Sequence, residues 1–460
     1  MAVYTQRGLP KVTVWTGSTV DSAIILDEDV VSFDVNGSIE GGYTFSVTLL
    51  PRQTDTKQHP ADVAKASIHF KRFRPNQVVA IGFDVRGGIM MGLIDKVSRR
   101  AQHGGPVGST AITISGKGMD KVLKRDTIIK AQAATADYAK FAAEIEAALG
   151  ADNPVTHAIV ENKGPTAQNA ANARTFINVG LDAVVEFLLT SVPSMRLPLL
   201  ADATGGEGKP SDYFDITGCV TTWNDGKVYS EEASSYQGNI WQFIKGLLDP
   251  DFYEMWVDTS PPPAGSDFPT PHLIIRPKPY DDPSFEFAPV RDDPGINWQT
   301  LRPTLVPDSL YHEIPLDQCV SESFEVGDGD SFACYFVSSA LDLAATPDGE
   351  AQGVGYPLID TWAAKRFGLT KYDTRLNLLG GDAELRTDGS ADSAEYVVKM
   401  GEDVFENRNR LFNWYRLNSF YEAGSVQVLG RDTFRPGDPV RLPWVELQLG
   451  GAEKGAQYYC

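Results

Sequence analysis

The chain has 460 residues, 61 acidic against 41 basic, for a net charge of −20, and 42% of it is hydrophobic. That length holds about two to four domains. The charge argues against a specific nucleic-acid binder, which needs clustered Lys and Arg to displace counterions. No run is long enough for a membrane span, and the opening residues lack a signal-peptide stretch, so synthesis and residence in the cytoplasm are expected, with release only by lysis. Cys219, Cys319, Cys334 and Cys460 form no CxxC pair and no spaced Cys/His set, which predicts buried free thiols and neither zinc nor a disulfide framework.

Residues 11–50 alternate apolar and polar in four short pieces separated by turn residues, the pattern of antiparallel strands. Two further strands meet at Arg86-Gly87-Gly88 as a hairpin. A strand over 110–115 then runs through Gly116-Lys117-Gly118 into a helical turn at 119–124. Residues 1–125 are therefore expected to form a small β-barrel or sandwich.

Residues 126–210 change character. Tyr138, Phe141, Ile145, Ala148 and Leu149 share one helical face, a second apolar helix covers 176–189, and a linker by composition occupies 201–212. The first helix suits core packing or a partner surface. From Tyr213 strands return, with a hairpin predicted at Asn224-Asp225-Gly226.

The stretch 238–305 reads as an α+β insertion. Asn239 is a good N-cap, Ile240, Phe243, Ile244, Leu247 and Leu248 make one apolar stripe, and Pro250 stops the helix. A strand over 252–258 carries Glu254 and Asp258 on a face expected to be exposed. A second strand over 272–276 is barred from a central position by Pro277 and Pro279. Two more strands, turning at residues 327–330, complete the expectation of a second, discontinuous β module from 211–237, 306–340 and 419–460. Residues 341–389 read as a glycine-rich stretch with one short apolar piece. Residues 390–418 make the longest helix, with Val397/Val398, Val404/Phe405 and Leu411/Phe412 seven apart. The fold class expected is thus α+β, β-rich and multi-domain.

Three motifs in this order resemble the baseplate hub proteins of contractile phage tails, a family shared with related contractile injection systems. They are Tyr253-Glu254 with Arg276-Pro277, Gly118-Met119-Asp120 after the first module, and Arg435-Pro436-Gly437-Asp438 between the last strands. The resemblance covers most of the chain. It implies two small tube-like β-barrels and a non-enzymatic adaptor in the virion. This adaptor would be a homotrimer joining a sixfold tail tube or tube-initiator protein to a threefold central spike. Baseplate wedges would surround it, and a channel would pass DNA and the tape-measure protein. In the family a further strand comes after the last motif. Here the chain stops at Gln457-Tyr458-Tyr459-Cys460, where that strand would start, so the expectation is that either the chain is short or a neighbour completes the sheet.

No catalytic, cofactor-binding or metal-binding residue is expected. GxSxG, HExxH and EF-hand patterns are absent. The run 204–209 fails as a phosphate loop because Pro210 stands where Ser or Thr would hold magnesium. Asp328 and Asp330 suit a solvated turn better than a metal, and His312-Glu313 lies in a strand pattern. The alternative of another class is a glycosidase-type tail hydrolase working through a carboxylate pair. A carbohydrate-binding module would need a row of aromatics that Trp15, Trp223, Trp256 and Trp414 do not form in the sequence.

Overall fold

The computed structural model describes residues 10–17, 22–39, 41–50, 68–83, 87–101, 110–125, 127–128, 179–191, 210–223, 226–228, 238–259, 271–278, 312–325, 331–339, 357–379, 393–416, 423–428, 439–442 and 456–459. These residues are β-rich, with one large antiparallel sheet and few helices.

The large sheet is built from β1 (Pro10–Trp15), β2 (Ala23–Ile25), β3 (Val30–Ser38), β4 (Gly42–Leu49), β5 (Val78–Phe83), β6 (Gly87–Ala101) and β7 (Thr110–Gly118). A short helix α1 (Ile68–Arg72) precedes β5, and α2 (Asp120–Arg125) comes after β7. The strands form a single seven-stranded sheet in the order β2-β1-β5-β6-β7-β4-β3, not two facing sheets. Strand alternation sorts the side chains. Val12, Val14, Phe45, Val47, Leu49, Val79, Ile81, Ile112 and Ile114 pack on one side with Phe73. On the other side of the same strands, Trp15, Val78, Met91 and Leu93 enter a second, larger core. The two end strands of the order, β2 and β3, are consecutive in the chain. The residues between them bond to both ends of the ladder: Leu26 N donates to the Val12 carbonyl, and Leu50 N donates to that of Asp29.

Bulges interrupt β3–β4, β5–β6 and β6–β7, and each adds twist. At the last of these, Gly116 is required by close approach. A Cβ there would run into the Leu93 carbonyl and the Phe45 ring. Gly116→Ala is expected to cost about 1–3 kcal/mol through backbone displacement. A thermal melt of the variant checks it, and an unchanged midpoint would mean that β6 can move aside freely.

The larger core gathers most of the later elements. After β8 (Thr127–Ile128) come β9 (Val179–Gly180) and α3 (Leu181–Ser191), then β10 (Lys227–Val228), β11 (Gly238–Asn239) and α4 (Ile240–Leu247). As expected, Asn239 caps α4, its side chain accepting from Gln242 N at 2.8 Å, and the helix ends before Pro250. The turn predicted at residues 224–226 falls largely outside the described residues, and the described residues on either side of it do not pair with each other. Residues 215 and 220 instead bridge in parallel to His272 and Ile275, and β10 pairs with β9 and with residues 378–379. Long-range burial outweighs the local turn signal: Tyr213 and Phe214 are buried in the larger core, and Val220 packs against it.

β12 (Tyr253–Thr259) and β13 (Pro271–Pro277) pair antiparallel through all seven residues of each. β12 is not exposed on one face. Residues 252–257 are all buried, Glu254 among them. The strands β14 (His312–Glu313) and β15 (Cys319–Glu325) do not continue into a hairpin with β16 (Cys334–Ser339). β16 pairs antiparallel with β17 (Leu358–Ile359) and parallel with β18 (Lys371–Leu376). The stretch expected to be a glycine-rich loop therefore contains a strand, a helix α5 (Thr361–Phe367) and a strand. Asp360 caps α5 by accepting from Trp362 N and Ala363 N, and Gly368 ends it at φ 85°. β19 (Leu378–Leu379) is next in the chain.

The long helix is α6 (Ser393–Tyr415), with Val404 and Leu411 buried as its stripe predicts and Phe405 largely exposed. Phe412 meets Tyr335 edge to face and Tyr415 stacks on Tyr372, tying α6 to β16 and β18. The side chains of Val397 and Val398 and the helix predicted around 138–149 lie outside the described residues. Last come β20 (Ala423–Val428), β21 (Pro439–Leu442) and β22 (Ala456–Tyr459). β20 pairs with β15, while β21 sits between β14 and β22. Ile314, Val440 and Leu442 form a small core of their own, lined by Cys319, Phe324, Val426 and Val428. The final strand, whose presence the sequence put in doubt, exists as β22, paired antiparallel with β21.

Candidate interaction surface

The hairpin β12–β13 brings the first motif together. Tyr253 faces Pro277, and Glu254 faces Arg276. Glu254 is only 4% exposed, and its Oε1 accepts from Arg276 Nε at 2.6 Å. The guanidinium also lies over the Trp256 ring, 4.7 Å from its centroid. Tyr253 packs beside Trp223, and its hydroxyl accepts from Trp223 N. Sequence alternation assigned Glu254 to solvent. The cross-strand Arg276 supplies the charge that lets it sit inside.

The corner before this hairpin carries two more carboxylates. Asp249 is fully buried and accepts from Asn377 N at 2.6 Å and Leu378 N at 3.1 Å. Burial pushes its carboxyl up to about 7; the two backbone donors oppose the shift, and nearby Asp251 adds to it. Asp251 accepts from Tyr372 Oη at 2.6 Å and from the Thr374 hydroxyl. The pair thus fastens the α4–β12 corner to β18 and β19, with its oxygens engaged by protein donors.

The second motif closes the first module. Asp120 begins α2 almost wholly buried, and Lys124 Nζ donates to it at 2.5 Å. Desolvation raises its pKa, with Lys124 working against the shift. Gly42, at φ 74°, makes room for this carboxylate, which a Cβ there would strike. Beside it lies an open pocket of about 440 Å³ lined by Pro75, Asn76, Asp95, Lys117, Lys121, Lys124 and Arg125. Asn76, in the left-handed region at φ 66°, accepts from Lys121 Nζ at 2.9 Å and from Arg125 Nη1 at 3.3 Å. Lys121 also pairs with Asp95. No sequence motif announced this pocket; the signal that could have found it is the spacing of Lys121, Lys124 and Arg125 along one side of α2, with Lys117 near the end of β7.

The third motif, residues 435–438, lies outside the described residues, as do residues 204–209 and the Asp328/Asp330 turn. His312 belongs to β14. Among the described residues no group of three or more His, Cys, Asp or Glu could hold a metal. No described helix is long and apolar enough to cross a membrane. Trp15 and Trp256 are buried, and Trp223 is half-buried beneath Arg410. Cys219, Cys319 and Cys334 are free and half-buried, and burial pushes the Cys219 thiol up to about 11.

No family model matches the chain, and no curated protein does. Among solved structures it is similar to the 43 kDa tail protein of prophage MuSo2 from Shewanella oneidensis, with TM-score 0.42 and 9% identity over 94% of this chain and 88% of that one. It is also similar to the prophage tail protein gp18 from Listeria monocytogenes EGD-e, with TM-score 0.38 and 11% identity over 98% and 87%. A tail protein from Neisseria meningitidis MC58 gives TM-score 0.38 and 11% identity over 98% and 90%.

Proposed function

We propose that the chain is a structural hub of a contractile phage-tail baseplate, a trimer joining a sixfold tube to a threefold spike. The observation that carries this reading is the register of β12 and β13. The residues behind the hub resemblance, Tyr253, Glu254, Arg276 and Pro277, are two facing pairs in a buried hairpin. Their chemistry is spent on packing, as an adaptor requires. Two β modules support it further. The first has consecutive strands at the two ends of its sheet, both tied to residues 26–29, which favours closure into a barrel. Of the second, expected from 211–237, 306–340 and 419–460, the strands β14, β15, β20, β21 and β22 border one small core, while Tyr213, Phe214, Val228 and Tyr335 pack in the larger one. Three chains with two such modules offer six quasi-equivalent positions to a tube and three true ones to a spike. The net charge of −20 suits a channel that DNA and tape-measure protein traverse without binding. Among the described residues β22 ends its sheet order, so its outer edge suits strand addition by a partner.

The test is native mass and electron microscopy of the purified chain. A trimer forming rings with a central channel is expected. A monomer, a dimer or a true hexamer overturns the reading, as would release of sugar from peptidoglycan that disappears on changing one carboxylate.

A further inference from the structure

The first module carries opposite charge at its two ends. At one end is the pocket of about 440 Å³, with four cations, Lys117, Lys121, Lys124 and Arg125, against one carboxylate, Asp95. Lys121 is matched by Asp95, and Lys124 by Asp120. Lys117 and Arg125 are exposed, and among the described residues neither has a carboxylate partner. A basic pocket open to solvent is out of character for a chain of net charge −20.

The register of β4 places the other end. Thr44 faces Lys117 at the pocket, and Leu49 faces Val30. The five-residue step from 44 to 49 spans about 17 Å at ~3.4 Å per residue. There the turn Asp27–Asp29 carries exposed Glu28, while Asp27 accepts from Val12 N and Asp29 pairs with His69. Around it Ile25, Val31 and Leu50 are 65%, 58% and 54% exposed. Three large apolar side chains beside an acidic turn make a rimmed surface of the kind that binds protein.

We propose that the basic pocket receives the acidic turn of a second copy of this chain, in a head-to-tail contact that also covers Ile25, Val31 and Leu50. Opposite charges set the docking direction, and the apolar side chains supply burial. The contact is heterologous, so it closes into a ring when the rotation per step allows and otherwise runs on as a filament. It goes beyond the hub reading, which names a trimer but no contact, and it stands or falls separately.

Three exposed positions test it: Lys117→Glu with Arg125→Glu in one variant, and Glu28→Lys in another. All three side chains are exposed, so both variants are expected to fold. In sedimentation, each variant alone is expected to self-associate at least about tenfold more weakly, because like charges then meet. Mixing the two variants restores association, since each acidic end again meets a basic one. Wild-type association weakens from 0.15 to 1 M salt as the screening length falls from about 8 to 3 Å. Assembly indifferent to salt and to both variants, or variants that fail to recover on mixing, overturns the contact while leaving a trimeric hub intact. Salt-sensitive, swap-restored association without rings keeps the contact and sinks the hub. A wild type that is monomeric at every salt concentration overturns both.

Discussion

Arg276→Ala is expected to destabilise the protein by about 3 kcal/mol, near the lower end of what breaking a buried ion pair costs. The reason is asymmetry. Glu254 is 2% exposed in its side chain, while Arg276 is 38% exposed, so the cation can be lost to solvent but the carboxylate cannot. Removing the guanidinium leaves Glu254 inside the hairpin without its 2.6 Å partner and strips the cover from Trp256. Since the cation is partly in water, the lower figure is the appropriate one. Replacing both, as Glu254→Gln with Arg276→Met, recovers most of the loss, because an uncharged pair of similar volume carries no stranded charge. Urea midpoints of the single and double variants decide it. A single variant costing less than about 1 kcal/mol would mean that water already reaches Glu254.

The second large effect depends on pH. The Asp249 carboxyl is held at about 7, above its ordinary 3.8, chiefly because burial disfavours its charge. A folded-state pKa above the unfolded one means that the native state holds a proton the unfolded state releases. The associated stability is full below about pH 4 and is lost as pH rises through about 7. Asp249→Asn keeps the shape and cannot titrate. Wild type and variant should therefore diverge with pH, the wild type losing about 2 kcal/mol relative to the variant between pH 5 and 7. Urea midpoints across that range read it directly. A constant difference would show Asp249 ionised throughout, held by the Asn377 and Leu378 donors alone.

These residues also mark where the sequence could be read. The strands of the first module were legible because their alternation is local, as in Val12, Val14 and again Phe45, Val47, Leu49. Asn239 and Pro250 bounded α4 for equally local reasons. Glu254 was misplaced because its partner lies across the sheet. Residues 371–376 were missed because β18 pairs in parallel with β16 across a helix, and such pairing leaves no short-range trace. The residues flanking Asn224-Asp225-Gly226 were mispaired for the opposite reason. A strong local signal lost to burial of Tyr213 and Phe214 against residues far along the chain. The basic pocket was not read in the sequence, because Pro75, Asn76, Asp95 and Lys117 reach α2 from other parts of the module.

The pairing of β14 and β15 with β20 and β21 bears on the order of events during synthesis. Ser321 Oγ bonds Gln427 Oε1, 106 residues further on, and His312 pairs with Val440. In the first module, by contrast, every strand finds its neighbours by residue 118. High contact order slows folding, and domains emerge from the ribosome N-terminus first. The first module is thus free to fold while the rest is still being made. Strands β14 and β15 must wait for β20 and β21 and meanwhile leave Ile314 and Phe324 uncovered, so the growing chain is most open to aggregation in that interval.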